Sequence, residues 1–114
     1  MTETLILNLP GNEALAATLA RELACEHAPL HVHRFPDGET LVRIEQPVAG
    51  RRIVLACTLD RPDDKTLALL FAADAARELG ATRVGLVAPY LAYMRQDIRF
   101  HPGDAITSRS YARM

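Results

Sequence analysis

The sequence predicts one α/β domain built on a doubly wound, mostly parallel sheet, and three observations carry that prediction. An apolar run without polar alternation at residues 53–56 reads as a strand covered on both faces, and residues 83–88 read as another continuous apolar strand. Between such runs the apolar spacing widens to three- and four-residue steps, the period of a helix packed by one face. Turn residues, Pro10-Gly11, Gly50 and Gly80, stand where the period changes.

Taken in order, residues 4–9 form the first expected strand, closed by Pro10-Gly11. A helix follows from Asn12, with Asn12 or Gly11 capping its start, Leu15, Leu19 and Leu23 beside Ala16, Ala20 and Ala24 on its inward face, and Pro29 ending it. Residues 30–35 and 40–45 read as two strands joined across Pro36-Asp37-Gly38-Glu39. In the second, Val42 and Ile44 alternate with Arg43 and Glu45, as in an exposed edge strand. Residues 52–58 form a covered strand. Asp63 and Asp64 then put negative charge at the start of a second helix whose inward stripe is Leu67, Leu70, Phe71 and Ala75, with Gly80 closing it. Residues 83–88 make another strand. A long loop runs from Pro89 to Asp104, and a helical pattern begins near Thr107 without a terminating glycine or proline, so the expectation is a domain truncated at its C-terminus.

A chain of 114 residues allows one domain with a real core. With 49% hydrophobic and 24% charged residues and a net charge of -1, it has no field to hold nucleic acid or an anionic membrane. No apolar run approaches a membrane span and no basic-then-apolar leader opens the chain, so a cytoplasmic protein is expected. Cys25 and Cys57 lack a CxxC spacing and are expected to be buried, reduced thiols. His31 and His33 share one strand face without a nearby carboxylate, and zinc is not expected there. Neither the dinucleotide nor the P-loop glycine signature occurs. A receiver domain would need an acidic pair after the first strand, where this chain has Pro10-Gly11-Asn12.

The chemistry concentrates in two loops. Phe35 offers a ring face for a base to stack on, Asp37 and Glu39 offer carboxylates that accept from an adenine amino group or a ribose, and Gly38 permits the tight turn. In the second loop Arg95 offers a planar fork for phosphate oxygens, Gln96 an amide, and Asp97 a carboxylate able to orient the arginine or a hydrated metal ion. Arg99 and His101 follow, and Tyr90 and Tyr93 read as loop anchors. Alone, Asp37-Gly38 is an ordinary hairpin signal and Arg95 with Asp97 an ordinary solvated pair. Both loops fall at strand ends, where open α/β sheets gather ligands, and together they suggest a purine nucleotide site.

In order and separation, Pro10-Gly11-Asn12, Arg34-Phe35-Pro36-Asp37-Gly38-Glu39, Tyr93-Met94-Arg95-Gln96-Asp97 and Pro102-Gly103 make the chain resemble, over essentially its whole length, the amino-terminal domain of ribose-phosphate pyrophosphokinase, the phosphoribosyl pyrophosphate synthetase family. The resemblance implies a phosphoribosyltransferase-like domain over residues 1–114 and a second domain absent from this chain. It implies transfer of diphosphate from ATP to the C1 hydroxyl of ribose 5-phosphate, giving phosphoribosyl pyrophosphate and AMP. Magnesium would accompany ATP, with protein ligands beyond Met114. The ATP-binding set would be Phe35, Asp37, Gly38, Glu39, Arg95, Gln96, Asp97 and Arg99, with no catalytic residue or metal ligand among these 114 residues. In the family the hairpin loop serves a neighbouring subunit, so a homo-oligomer with a shared site is implied.

The chain also departs from the family pattern. The acidic, threonine- and glycine-rich ribose-phosphate loop is not present; Asp63-Asp64-Lys65-Thr66 has no glycine behind it and reads as helix capping. Ile98 stands where members commonly carry a basic residue. The 114-residue chain is therefore expected to be inactive alone. The alternative is a non-catalytic nucleotide-binding or assembly module of the same descent.

Overall fold

The computed structural model describes residues 3–114. Its main sheet is parallel and four-stranded, in the order β2-β1-β5-β6, formed by β1 (Thr4–Asn8), β2 (Glu26–Pro29), β5 (Arg52–Ala56) and β6 (Arg83–Val87). A separate antiparallel hairpin joins β3 (His31–Arg34) to β4 (Thr40–Arg43). Three helices complete the fold: α1 (Glu13–Leu23), α2 (Thr66–Glu78) and α3 (Thr107–Arg113).

The two-residue period of the central strands explains the double winding. Leu5, Leu7 and Leu9 with Ile53, Leu55 and Cys57 face α2 and the hairpin, whereas Ile6 and Ala56 face α1. The middle of each of these strands, residues 5–7 and 53–56, is apolar because each face has a cover, as expected of a parallel sheet. Both helices approach the sheet through alanine. Ala16 and Ala20 are the buried residues of α1, and Ala68, Ala72 and Ala76 those of α2.

This corrects both expected helix stripes. Leu23 lies beyond the packed face and is exposed, with Leu15 and Leu19 only half-buried. Leu67 and Phe71 point outward on α2, and Ala75 is half-buried. A helix seated close on a sheet leaves room for methyl groups along its contact line and pushes larger side chains to the flanks.

The first helix also ends earlier than Pro29. It stops at Leu23, Ala24 takes a left-handed conformation (φ 51), and Glu26–Pro29 pairs with β1 as a sheet edge. Only Ala28 of that strand is buried, so it carries no apolar pattern. Arg51 holds this corner: its guanidinium is nearly buried, 2.5 Å from Glu26 and 3.7 Å from Glu3, and it donates to the Pro47 carbonyl at 2.9 Å. The hairpin strand β4 packs on α2, and Val42 and Ile44 reach the core, so it is not simply an exposed edge.

Further corrections concern the helix starts. Asn12 occupies the cap position of α1, yet its side chain makes no capping bond. Asp63 and Asp64 lie in a 3-10 turn (Pro62–Asp64) ahead of α2, and neither caps it. The strand β6 is a sheet edge. Leu86 is 45% exposed, and an apolar groove of about 590 Å³ runs along it, lined by Leu70, Val84, Leu91 and Met94. Cys57 is buried and Cys25 half-buried, and both are free thiols. Among the described residues no helix is long and apolar enough to cross a membrane.

Candidate functional site

The strand order creates the site. The chain leaves β1 toward β2 on one side and returns to β5 on the other, which opens a crevice at the carboxyl ends of β1 and β5. Asn12 closes the base of that crevice. Its Oδ1 accepts from the Thr58 amide at 2.9 Å while its Nδ2 donates to the carbonyls of Leu9 and Pro10 at 3.3 Å each. The side chain is thus used to tie the loop after β1 to the loop after β5. In the sequence this asparagine, which lies nearly buried, reads only as a helix cap.

Beside it, the loops after β5 and β6 form an open cavity of about 570 Å³ lined largely by charged and polar residues. Asp60, Arg61, Asp63 and Asp64 line one wall, and Tyr90, Tyr93, Arg95 and Gln96 the other. Tyr93 sets the second wall. Its backbone is left-handed (φ 63), its hydroxyl donates to an Asp63 carboxylate oxygen, and its ring lies 5.0 Å from that of Tyr111. Tyr111 in turn shares a 2.9 Å hydrogen bond with the Thr66 hydroxyl of α2. One residue past Arg95, the Gln96 carbonyl accepts from the Ser108 amide at 3.2 Å, so the loop is tied to α3 as well. A tyrosine held at positive φ is backbone strain maintained by its surroundings, a condition that clusters at ligand sites. Tyr93 is therefore an anchor, as the sequence suggests. Tyr90 is half exposed on the cavity, and its carbonyl accepts from the Leu59 amide at 3.1 Å.

The other expected residues divide clearly. Asp97 and Arg99 do not line the cavity, and Arg99 Nε donates to the Asp104 carbonyl at 2.8 Å, closing its own loop. His101 joins the same closure, its amide donating to an Asp104 carboxylate oxygen at 3.1 Å. Among the described residues Arg95 and Asp97 make no ion pair.

Phe35, Asp37, Gly38 and Glu39 form the exposed hairpin tip, and none of them lines the cavity. Gly38 adopts φ 94, and its amide donates to the Phe35 carbonyl at 2.9 Å; the Asp37 Oδ1 accepts from the Glu39 amide at 3.1 Å. Phe35 is 43% exposed, with the His33 ring edge-on at 4.8 Å. One residue earlier, Arg34 reaches back to the cavity wall, donating to the Asp64 carbonyl at 2.8 Å with its carboxylate at 3.9 Å. The hairpin is thus tethered to the cavity rim while its nucleotide-competent groups face outward.

Two ionisable groups beside the cavity are perturbed. Lys65 holds the Asp60 carboxyl below the usual carboxylate range, by a 2.5 Å hydrogen bond and by its charge. Lys65 Nζ also donates to the Thr58 carbonyl at 3.0 Å. Burial pushes the Cys57 thiol up, against the pull of Lys65. Among the described residues no three His, Cys, Asp or Glu side chains group closely enough to hold a metal ion.

Comparison with known proteins bears directly on this arrangement. Residues 4–114 match the family model described as the N-terminal domain of ribose phosphate pyrophosphokinase. The chain belongs to this family. A ribose-phosphate pyrophosphokinase of Methanopyrus kandleri is 41% identical over 99 residues, covering 87% of this chain and 34% of the relative. That of Ureaplasma parvum is 34% identical over 113 residues, covering 98% and 34%. The chain thus spans about a third of the length of these curated relatives.

Among solved structures, a phosphoribosylpyrophosphate synthetase from Mycobacterium smegmatis superposes with a TM-score of 0.84 at 22% identity, over 98% of this chain and 38% of its own. A purine phosphoribosyltransferase from Pyrococcus horikoshii gives 0.55 at 16% identity, over 77% and 63%. These two likenesses establish the fold, a phosphoribosyltransferase-like α/β sheet, in agreement with the sequence expectation.

Proposed function

We propose that this chain supplies two separate parts of an ATP site in a ribose-phosphate pyrophosphokinase, and that the two parts serve different sites in an assembly of identical copies. The cavity wall with Arg95 and Gln96 would take the phosphate end of one ATP. The hairpin tip with Phe35, Asp37 and Glu39 would reach the adenine of an ATP bound by a neighbouring copy. The observation that carries this reading is the separation of the two groups: Arg95 and Gln96 line the cavity, while the hairpin residues stand exposed outside it.

The reaction would be transfer of the β,γ-diphosphoryl group of ATP to the C1 hydroxyl of ribose 5-phosphate. Magnesium would arrive with the ATP phosphates and neutralise charge there. The contribution of this chain is position and charge compensation, since the attacking hydroxyl belongs to the sugar. The groups that hold the sugar phosphate and the metal would come from outside these 114 residues, so the isolated chain binds ATP without turning it over.

Calorimetric titration with magnesium and ATP, with AMP assayed after adding ribose 5-phosphate, tests this. Heat of binding without AMP is the expected result. AMP formation that depends on ribose 5-phosphate would show that these residues suffice for catalysis, and absence of ATP binding would refute the site.

A further inference from the structure

We propose that Arg61 is a second phosphate-binding side chain of the cavity, acting together with Arg95 as a two-armed clamp on the polyphosphate of the nucleotide. This rests on the nucleotide reading above. The two arginines come from different loops, one after β5 and one after β6, and line the same cavity.

Two of the three carboxylates that line the cavity are ion-paired elsewhere, and the third accepts a hydroxyl. Asp60 is bound by Lys65 at 2.5 Å, Asp64 by Arg34 at 3.9 Å, and Asp63 receives the Tyr93 hydroxyl. Lys65 already holds the Asp60 carboxyl ionised, and Arg61 is the last and weakest of the influences on it. Among the described residues neither guanidinium donates a hydrogen bond or forms an ion pair. The lining carries two cations and three carboxylates, and Lys65 and Arg34, which lie outside the lining, each pair with one of those carboxylates.

Backbone geometry supports a role at a site. Arg61 is left-handed, at φ 51 and ψ 61, where a side chain bearing a Cβ is disfavoured. The following Pro62 opens the 3-10 turn, whose carbonyl accepts from the Lys65 amide at 2.9 Å, so the turn holds Arg61 on the rim. Two guanidinium forks from separate loops suit a chain of phosphates better than a single carboxylate, since each fork binds oxygens in its own plane.

The test titrates the 114-residue chain with inorganic tripolyphosphate and, in parallel, with ATP, following arginine Nε–Hε resonances and the heat of binding. The chains compared are wild type, Arg61→Gln, Arg61→Lys and, as a control on α1, Arg21→Gln. Tripolyphosphate should shift the Arg61 and Arg95 resonances together. Arg61→Gln should weaken both ligands about tenfold, with Arg61→Lys intermediate and Arg21→Gln unchanged. Unfolding temperatures should match throughout, because Arg61 is exposed. Should Arg61→Gln unfold, the lysine variant decides, since wild-type affinity there would overturn the clamp.

Wild-type affinity for both ligands in Arg61→Gln, with only Arg95 shifting, overturns the clamp and leaves the nucleotide site standing. Tripolyphosphate binding that needs both arginines, in a chain that takes up no ATP, upholds the anion clamp and refutes the nucleotide reading. Absence of binding by either ligand overturns both.

Discussion

Tyr93 adopts φ 63 two residues before Arg95, and its bond to Asp63 and its contact with Tyr111 hold it there. A left-handed residue with a Cβ costs about 1 to 2 kcal/mol, so these contacts offset a real strain. Replacing Tyr93 by Phe keeps the ring and removes the bond to Asp63; stability should fall by about 1 kcal/mol and ATP binding should weaken as the Arg95 loop loosens. An unchanged urea midpoint would show that the hydroxyl does not hold the loop. Cys57 gives a second check. Burial raises its thiol above the ordinary 9.0, so the folded state favours the protonated thiol. The stability this gives is present below the ordinary thiol value and is lost as pH rises through the raised one. Thiol reagent should therefore modify the half-buried Cys25 before Cys57, and Cys57 only with unfolding; equal rates would contradict its burial.

At this scale the sequence singled out Arg95, Gln96 and Tyr93, which the structure places on the cavity, because side-chain chemistry is visible in residue type. It did not single out Arg34 or Arg61, whose place at the cavity depends on which loops meet across the sheet end. Asp63 looked like a helix cap, and the partner that redirects it lies thirty positions away.

Elements show the same division. The strands β1 and β5 were legible because both their faces are covered and their central residues, 5–7 and 53–56, are apolar. The helix faces were misread, since large apolar residues dominate an amphipathic pattern while alanines make the contact. Ala72 is fully buried on α2, so Ala72→Leu should destabilise by about 1 to 3 kcal/mol through overpacking. Leu67 is 54% exposed, so Leu67→Ala should stay within about 0.5 kcal/mol of wild type. Chemical unfolding of the two variants distinguishes the packed alanine line from the leucine stripe, and the reverse order would restore the latter. The edge strand β2 escaped notice because only one of its residues is buried.

Across the whole molecule, order along the chain and nearness in space come apart. The two nucleotide-competent loops read as one site in sequence, yet the hairpin tip lies outside the cavity that Arg95 and Gln96 line. Membership of the ribose-phosphate pyrophosphokinase family accounts for both loops occurring in one chain. The proposed sharing between copies would account for their separation, and only the resemblance suggested it. Complementation tests that sharing most directly. The hairpin variant Phe35→Ala and the cavity variant Arg95→Ala are each titrated with magnesium and ATP, alone and after equimolar mixing. Phe35 is exposed and Arg95 is a surface side chain, so both variants should fold. Each alone should lose ATP binding, and the mixture should regain about a quarter of the wild-type sites, those pairing an intact hairpin from one copy with an intact cavity from another. A mixture as silent as its components, from variants that remain folded and assembled, would contradict the shared site.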